Sequence, residues 1–355
     1  MKNRKKEKAL DIRDIAKHAK VSIATVSRTI NHVSTVDPDL AKRVWKAIDE
    51  LGYYPNTQAR TLVSGKSRIF GLVIPDITNP FFPGIVQAFE EIAIQYDYEI
   101  LLTSTGNDQH RMEKAIRRMI ERQVDGVAIM TFGMEEELLE HLHFRKMPLV
   151  FIDVGPPLPL VSNIRIQYQI GVRQAVQHLA SHHHRRIAFV SGPPELKSAT
   201  ARTLAFQNAM AEKGLEVPDG MIVSGHHTVE GGLAAFEQLA ARTERPTAVM
   251  CSNDVSAIGV MRKAYELGIQ VPDDLSVIGF DDIHLAEFVI PPLTSIRMSQ
   301  TELARLAFHA LLADVERTSL PPAGTEYFLT TELVLRKSTA PVRKPAAEPS
   351  KTHPF

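Results

Sequence analysis

Three groups of side chains in this sequence have types and spacings that could do chemistry. The first is the run Ser22-Ile23-Ala24-Thr25-Val26-Ser27-Arg28, where hydroxyls recur beside an arginine and an apolar pair. Ser22, Thr25 and Ser27 can donate to phosphate oxygens, and Arg28 can reach a phosphate or a guanine edge. The second group is scattered: Asn79, Thr131, Asp153, Arg202, Asn253 and Asp281, with Phe81 and Phe82 next to the first. Amide, carboxylate and guanidinium groups make paired hydrogen bonds to vicinal hydroxyls, and an aromatic face stacks on a ring. This set therefore suits a hydroxyl-rich small molecule. The third group is His182-His183-His184. Consecutive residues on a helix point in different directions and cannot chelate one metal, so a solvated helix end is expected there. His227, beside His226, is expected to be a surface-loop histidine. The sequence has no G-x-S-x-G elbow, phosphate loop or H-E-x-x-H zinc site. Its one cysteine, Cys251, allows neither an internal disulfide nor a cysteine metal cluster. These observations point away from an enzyme and imply no metal and no cofactor.

Charge divides the chain into two parts. The 41 Lys and Arg balance the 41 Asp and Glu overall, yet the first 70 residues carry 15 basic against 7 acidic side chains. That leaves 26 basic and 34 acidic residues downstream. A basic end suits a polyanion, while the acidic remainder does something else. A length of 355 residues is too great for one ordinary core, and 44% apolar with 23% charged residues excludes a mostly disordered or fibrous chain. The longest uncharged stretch, Ile77 to Phe89, contains prolines and is too short to span a bilayer. The basic start, Met1 to Lys8, is not followed by the apolar run of a secretory signal, so a cytoplasmic location is expected.

The elements that must position the first group are three short helices. Asp11 can cap one with Ile12, Ile15, Ala16 and Ala19 on a single face, and the turn at 19–21 ends it. Ser22 can cap a second, which turns Val26 and Ile30 inward and leaves Ile23 and Ala24 facing out. Asp37 with Pro38 opens a third, striped by Val44, Ile48 and Leu51, with Trp45 at its edge and Gly52 as the left-handed stop. Two helices joined by a tight turn and braced by a third make a helix-turn-helix unit, whose second helix enters the major groove by its N-terminal end. An exposed apolar pair at that end suits thymine methyl groups.

The stretch Val21 to Asn31, then Gly52-Tyr53-Tyr54-Pro55-Asn56 and Ala59-Arg60-Thr61-Leu62, resembles the lactose-repressor/galactose-repressor family of bacterial transcription regulators. The resemblance puts Ile23 and Ala24 at variable base-reading positions and Arg28 at a frequent base contact. It also makes Asn31, Tyr53, Asn56 and Ala59 candidates for contact with DNA. Asn56 to Ser64 resembles the family's hinge helix, in which Leu62 matches the leucine that wedges between central base pairs. Alone, such a short helix falls below the length that is stable in water.

From Arg68 onward, β-rich runs alternate with amphipathic segments. Strands are expected at 69–74, 99–103, 126–131 and 149–153, with helices near 85–96, 110–122 and 135–145. A second set follows, with strands at 186–191, 221–224, 248–251 and 275–279 and helices near 170–182, 199–213, 229–242 and 254–267. The fold class is therefore α/β, a small all-α unit followed by two doubly wound parallel-sheet lobes with a ligand cleft at the strand ends. Residues 74–82, 124–126, 185–193, 245–254, 272–281, 293–297 and 333–339 carry the same resemblance, which implies a core shared with periplasmic sugar-binding proteins of the first structural type. The organisation it implies is a DNA-binding domain at 1–55, a hinge at 56–67, a two-lobed effector and dimerisation domain at 68–340 and a disordered tail at 341–355. The amino lobe is expected at about 68–162 and 292–322, and the carboxyl lobe at about 163–291 and 323–340. In the family, Arg202, Asn253 and Asp281 match residues that hold the effector, and Asn79 and Phe81 line the cleft. Gln167-Tyr168 replaces a common Asp-Asn pair and Ala205 a common glycine, which marks an altered pocket.

The expected protein is a homodimeric repressor of near-palindromic double-stranded DNA whose grip is tuned by a small effector, a sugar or sugar acid. The alternatives are a solute-binding receptor for sugar transport and a purine-type repressor that needs a corepressor. The first would require an export signal and no helix-turn-helix.

Overall fold

The computed structural model describes residues 10–30, 33, 35–54, 65–130, 147–153, 158–316 and 324–342. Outside these lie candidate DNA residues Asn31, Asn56, Ala59 and Leu62, candidate effector residue Thr131, the expected helix at 135–145 and the tail beyond Val342. Two units separate at Arg68.

The first unit is built on its caps. Helix α1 (Ile12–Ala19) opens with a capping box in which Asp11 and Asp14 each accept the other's backbone N–H, and it closes at Lys20, in the left-handed region at φ 53°. Helix α2 (Ile23–Ile30) follows, then α3 (Pro38–Leu51), capped by Asp37 and stopped by Gly52 at φ 60°. Ile15, Ala16, Ala19, Val26, Ile30, Val44, Ala47 and Ile48 form its small core.

The second unit contains two six-stranded sheets. In chain order the first lobe begins with β1 (Ile69–Ile74), α4 (Phe81–Gln95), β2 (Glu99–Ser104), α5 (Gln109–Glu121), β3 (Gly126–Ile129), β4 (Leu149–Ile152) and β5 (Val161–Gln167). Then come α6 (Tyr168–Ser181), β6 (Ile187–Ser191), α7 (Lys197–Glu212), β7 (Ile222–Ser224), α8 (Val229–Ala240), β8 (Ala248–Cys251), α9 (Asp254–Glu266) and β9 (Ser276–Asp281). The chain ends with β10 (Thr294–Arg297), α10 (Gln300–Glu316), β11 (Glu326–Thr330) and β12 (Glu332–Val334). Strand order is β11-β5-β4-β3-β1-β2 in one sheet and β12-β10-β9-β8-β6-β7 in the other. All pairs are parallel except β10 with β12, as fully apolar strands such as Leu149–Ile152 demand when both faces are covered. The first lobe's aromatic core stacks Phe70 on Tyr98 at 4.2 Å and packs Phe308 of α10 edge-on against Phe70 at 5.3 Å.

The chain crosses between the sheets three times, each time several residues later than the family pattern suggests. Strand β5 runs to Gln167 in the first sheet, β10 holds 294–297 in the second, and β11 holds 326–330 in the first. The expected boundaries at 162, 291 and 322 are corrected accordingly. Strand β5 (VSNIRIQ) escaped pattern reading because polar residues interrupt it. Ser162 is nonetheless buried, donating to Asp314 Oδ2 at 3.2 Å and accepting from the Thr325 N–H at 3.0 Å.

Of the three consecutive histidines, His183 is exposed at the helix end as expected, His182 is half-buried, and His184 is not solvated. His184 is buried, with Nε2 2.9 Å from the Ala340 carbonyl and Nδ1 2.9 Å from Thr247 Oγ1. A carbonyl only accepts, so Nε2 carries the proton and Nδ1 accepts the Thr247 hydroxyl. Val342 N–H donates to the His182 carbonyl and His178 pairs with Thr339, so this helix end clasps the segment 339–342. That contact is remote in sequence, which is why local periodicity misreads it.

Candidate functional sites

In the first unit, the Ser22 hydroxyl accepts the Thr25 N–H at 3.0 Å and lies 2.9 Å from Thr25 Oγ1, capping α2. Ile23 is 47% exposed and Ala24 is exposed beside it, although burial would suit both. Arg28 is exposed one turn later, and Thr25 and Ser27 are half-buried. Tyr53 is half-buried and packs on the three-helix core, so only part of it is open to a partner. The Arg43 guanidinium donates to the Ala19 carbonyl at 2.6 Å and the Lys20 carbonyl at 3.0 Å, locking the turn between α1 and α2. The opening of α2 is thus a rigid, hydroxyl-bearing helix end with an apolar tip.

In the second unit, strand order reverses between β1 and β3 in one sheet and between β6 and β8 in the other. Parallel sheets bind ligands at the carboxyl ends of strands beside such reversals, and a cavity of about 140 Å³ lies there. Pro75, Asp76, Asn79, Phe81, Phe82 and Asn107 line it from the first lobe, and Ser198, Arg202, His226, His227, Asn253 and Asp281 from the second. Among the described candidates, Asn79, Phe81, Arg202, Asn253 and Asp281 are brought together. Asp153 is not among the lining residues. Its Oδ1 accepts the Ile166 N–H at 3.0 Å and its Oδ2 accepts the Tyr168 hydroxyl at 2.9 Å. Burial raises its acid pKa.

Arg202 is the hub of the cleft. Its side chain is 4% exposed and its guanidinium carbon sits 4.1 Å from the Phe280 ring centroid and 5.3 Å from that of Tyr168. Nη1 donates to the Ser252 carbonyl and lies 3.5 Å from Asp281 Oδ1, within ion-pair reach but outside hydrogen-bond geometry. Among the described residues, Arg202 Nε and Asp281 Oδ1 are therefore a buried donor and a buried acceptor without hydrogen-bond partners. Burial pushes the Asp281 carboxyl up to about 7, with Arg202 pulling the other way. Asp281 also sits in the left-handed half of backbone space, at φ 105°, followed by Asp282 at 57°. Strain of this kind in non-glycine residues collects at functional sites.

Asn253 does line the cavity, but its Oδ1 accepts the Ser256 N–H at 2.9 Å and its Nδ2 donates to the His227 carbonyl at 3.2 Å. Part of its amide is thus spent on capping α9. His227 is not a surface-loop residue. Its half-buried ring forms part of the cavity wall, with Nε2 2.7 Å from Ser252 Oγ. The ring fits there because residue 192 is glycine, where a Cβ would stand 2.1 Å from Nε2. Burial, helped by Arg202, lowers its pKa to about 3, so the ring is neutral at physiological pH. Sequence reading overlooked Asp76, Asn107 and Ser198, which the strand-order reversals would have flagged. Among the described residues no cluster of three or more His, Cys, Asp or Glu is arranged to hold a metal ion, and no helix is long and apolar enough to cross a membrane.

Comparison with known proteins covers both parts of the chain. Residues 11–56 match the model of bacterial regulatory proteins of the lacI family, and residues 176–339 match a periplasmic binding protein-like domain. Catabolite control protein A of Priestia megaterium is 36% identical over 84% of this chain and 91% of its own length. The ribose operon repressor of Escherichia coli is 32% identical over 93% of this chain and 99% of its own. HTH-type transcriptional repressor PurR of Photobacterium profundum is 33% identical over 92% and 98%. Among solved structures, the lac repressor dimer bound to operator and an anti-inducer superposes with a TM-score of 0.81 at 26% identity, covering 94% of this chain and 100% of that one. A helix-turn-helix with an exposed apolar tip, a cleft in a two-sheet α/β unit, and relatives that match along nearly their whole length make this chain a DNA-binding transcription regulator of the lacI family.

Proposed function

We propose that this protein is a cytoplasmic, homodimeric repressor that reads a near-palindromic operator and is released from it by a small sugar bound in the cleft. On the DNA side, Ser22, Ile23, Ala24, Thr25, Ser27 and Arg28 contact the half-site, with Asn31 and Tyr53 beside them. Asn56, Ala59 and Leu62 serve the paired hinge at its centre. Dimerisation is supported by the operator-bound lac repressor dimer and by the exposed Ile94 and Leu102 on the first lobe. In the cleft Asn79, Phe81, Arg202, Asn253 and Asp281 bind the effector, Thr131 is a further contact, and Asp153 acts through Tyr168.

The observation that carries the effector reading is the buried, unpartnered pair of Arg202 Nε and Asp281 Oδ1. An unmet buried donor and acceptor are costly, and a ligand that offers an acceptor to one and a donor to the other recovers that cost. A hydroxyl, or two on neighbouring carbons, does both. A carboxylate or phosphate oxygen offers no donor to the Asp281 carboxylate, and in the same cavity it meets Asp76 and a neutral His227, while the Arg202 charge already faces Asp281 at 3.5 Å. The cleft therefore favours a neutral sugar over a sugar acid. A purine is the second reading, favoured by the PurR relatives; its ring nitrogens also offer adjacent donors and acceptors.

The test is a thermal-shift panel of neutral aldoses, aldonic acids and purine bases, followed by operator binding with each hit, since a ligand of the native state raises the melting temperature. A neutral aldose should raise it and weaken operator binding. Stabilisation by purines alone, or by acids in preference to neutral sugars, would overturn the proposed effector. Arg202→Ala and Asp281→Ala should each abolish the effector response while operator affinity stays within about threefold of the parent, because the sites are distinct.

A further inference from the structure

Asp282, next to the cleft carboxylate, is not among the residues lining the cavity, yet its side chain is only 6% exposed. Its Oδ1 accepts from Arg336 Nη1 at 2.6 Å and its Oδ2 from Arg297 Nε at 2.8 Å, while its own N–H donates to Ser295 Oγ at 3.1 Å. Both carboxylate oxygens and the backbone are therefore held, which fixes the left-handed turn that presents Asp281.

One of these partners lies where the chain passes between lobes. Arg297 is the last residue of β10, just before the crossing to α10. Its Nη1 donates at 3.0 Å to Glu332, the first residue of β12, just after the crossing from β11. The adjacent Thr331 is buried in that crossing, and its hydroxyl donates to the Gln167 carbonyl at 2.9 Å and accepts the Gly171 N–H at 3.0 Å. Gln167 and Gly171 flank the remaining crossing, between β5 and α6. Close approach there requires glycine, because a Cβ at 171 would stand 2.8 Å from Thr331 Oγ1 and 2.4 Å from Ile296 Cγ2. A path of polar contacts, bridged by the peptide bond between Thr331 and Glu332, thus runs from the turn at Asp281 to all three crossings.

We propose that Asp282 is a positioning residue that couples the cleft carboxylate to the lobe crossings, with Arg297 as the link. Movement of Asp281 on ligand binding reaches the crossings through this carboxylate, and those are the backbone segments about which two lobes can turn. The assignment rests on reading the cleft as the effector site, but its test needs no effector, so it can fail while that reading stands.

Hydrogen exchange of the full chain, followed by mass spectrometry, tests it with Asp282→Asn and Arg297→Gln. Arg297→Gln leaves the buried Asp282–Arg336 pair in place and so guards against misfolding of the first variant. Both should speed exchange about tenfold or more at 167–171 and 330–333, as expected when a charge-assisted contact is lost, with the central strand 248–251 unchanged. Arg297→Lys, which keeps the charge, should restore part of the protection. Faster exchange confined to 281–283, or spread evenly over the second lobe, would overturn the proposal, because either result makes Asp282 a local support only.

Discussion

At the scale of single residues, Asp281 makes the cleft sensitive to pH in a direction that can be worked out. Its carboxyl titrates at about 7 in the folded protein against an ordinary 3.8. The folded state therefore holds this proton more tightly than the unfolded chain, and stability falls as pH rises between those two values. Asp281→Asn should flatten that part of a stability–pH profile measured by chemical denaturation. A ligand hydroxyl donating to Oδ1 favours the charged carboxylate, so the stabilisation conferred by a neutral sugar should grow between about pH 5 and pH 8. A gain that shrinks over the same range would mean that the ligand binds the protonated acid. His227 should contribute nothing to this dependence, since its ring is already neutral above about 3.

At the scale of elements, the reading helix owes its pose to caps rather than to a large core. Asp11 holds α1 by accepting the N–H groups of Arg13 at 2.7 Å and Asp14 at 3.2 Å, and α1 in turn braces α2 through Ile15, Ala16 and Val26. Asp11→Ala should destabilise the helical unit by about 1 kcal/mol. Calorimetry of the full chain would register this as a lower transition temperature for that unit, with the transition of the two-sheet unit unmoved. These caps were legible in the sequence because a cap is a local device, one side chain acting on backbone two or three residues away. Strand β5 and the clasp at His184 were not legible, because the groups that satisfy Ser162 and His184 arrive from residues 314, 325, 247 and 340.

At the scale of the whole molecule, a basic DNA-binding end and the proposed neutral-ligand cleft should respond differently to salt. Operator binding displaces counterions from phosphates, so affinity should fall roughly a thousandfold between about 50 and 200 mM salt if six or more phosphates are contacted. Sugar binding in the cleft should change little over that range, because no net charge is transferred. Parallel titrations of the same preparation with operator and with sugar would show the contrast. Equal salt slopes would place charge neutralisation in the cleft and argue for an anionic effector. Effector control of operator affinity then depends on how far the effector prefers one lobe arrangement, typically about 1–3 kcal/mol.

By itself, the sequence determined the helix-turn-helix, the exposed Ile23-Ala24 tip, the alternation that builds two parallel sheets and five of the cleft residues. Each of these is written in short-range periodicity, capping residues or family motifs. The folded packing was needed to show that Asp153 serves Tyr168 instead of lining the cavity, that His227 fills the space left by Gly192, and where the chain crosses between lobes. Those outcomes depend on which distant strand ends meet, and on which buried polar groups are left unpaired once they do. No local pattern encodes the second question, because a donor such as Arg202 Nε becomes unpartnered only when the rest of the core has closed around it.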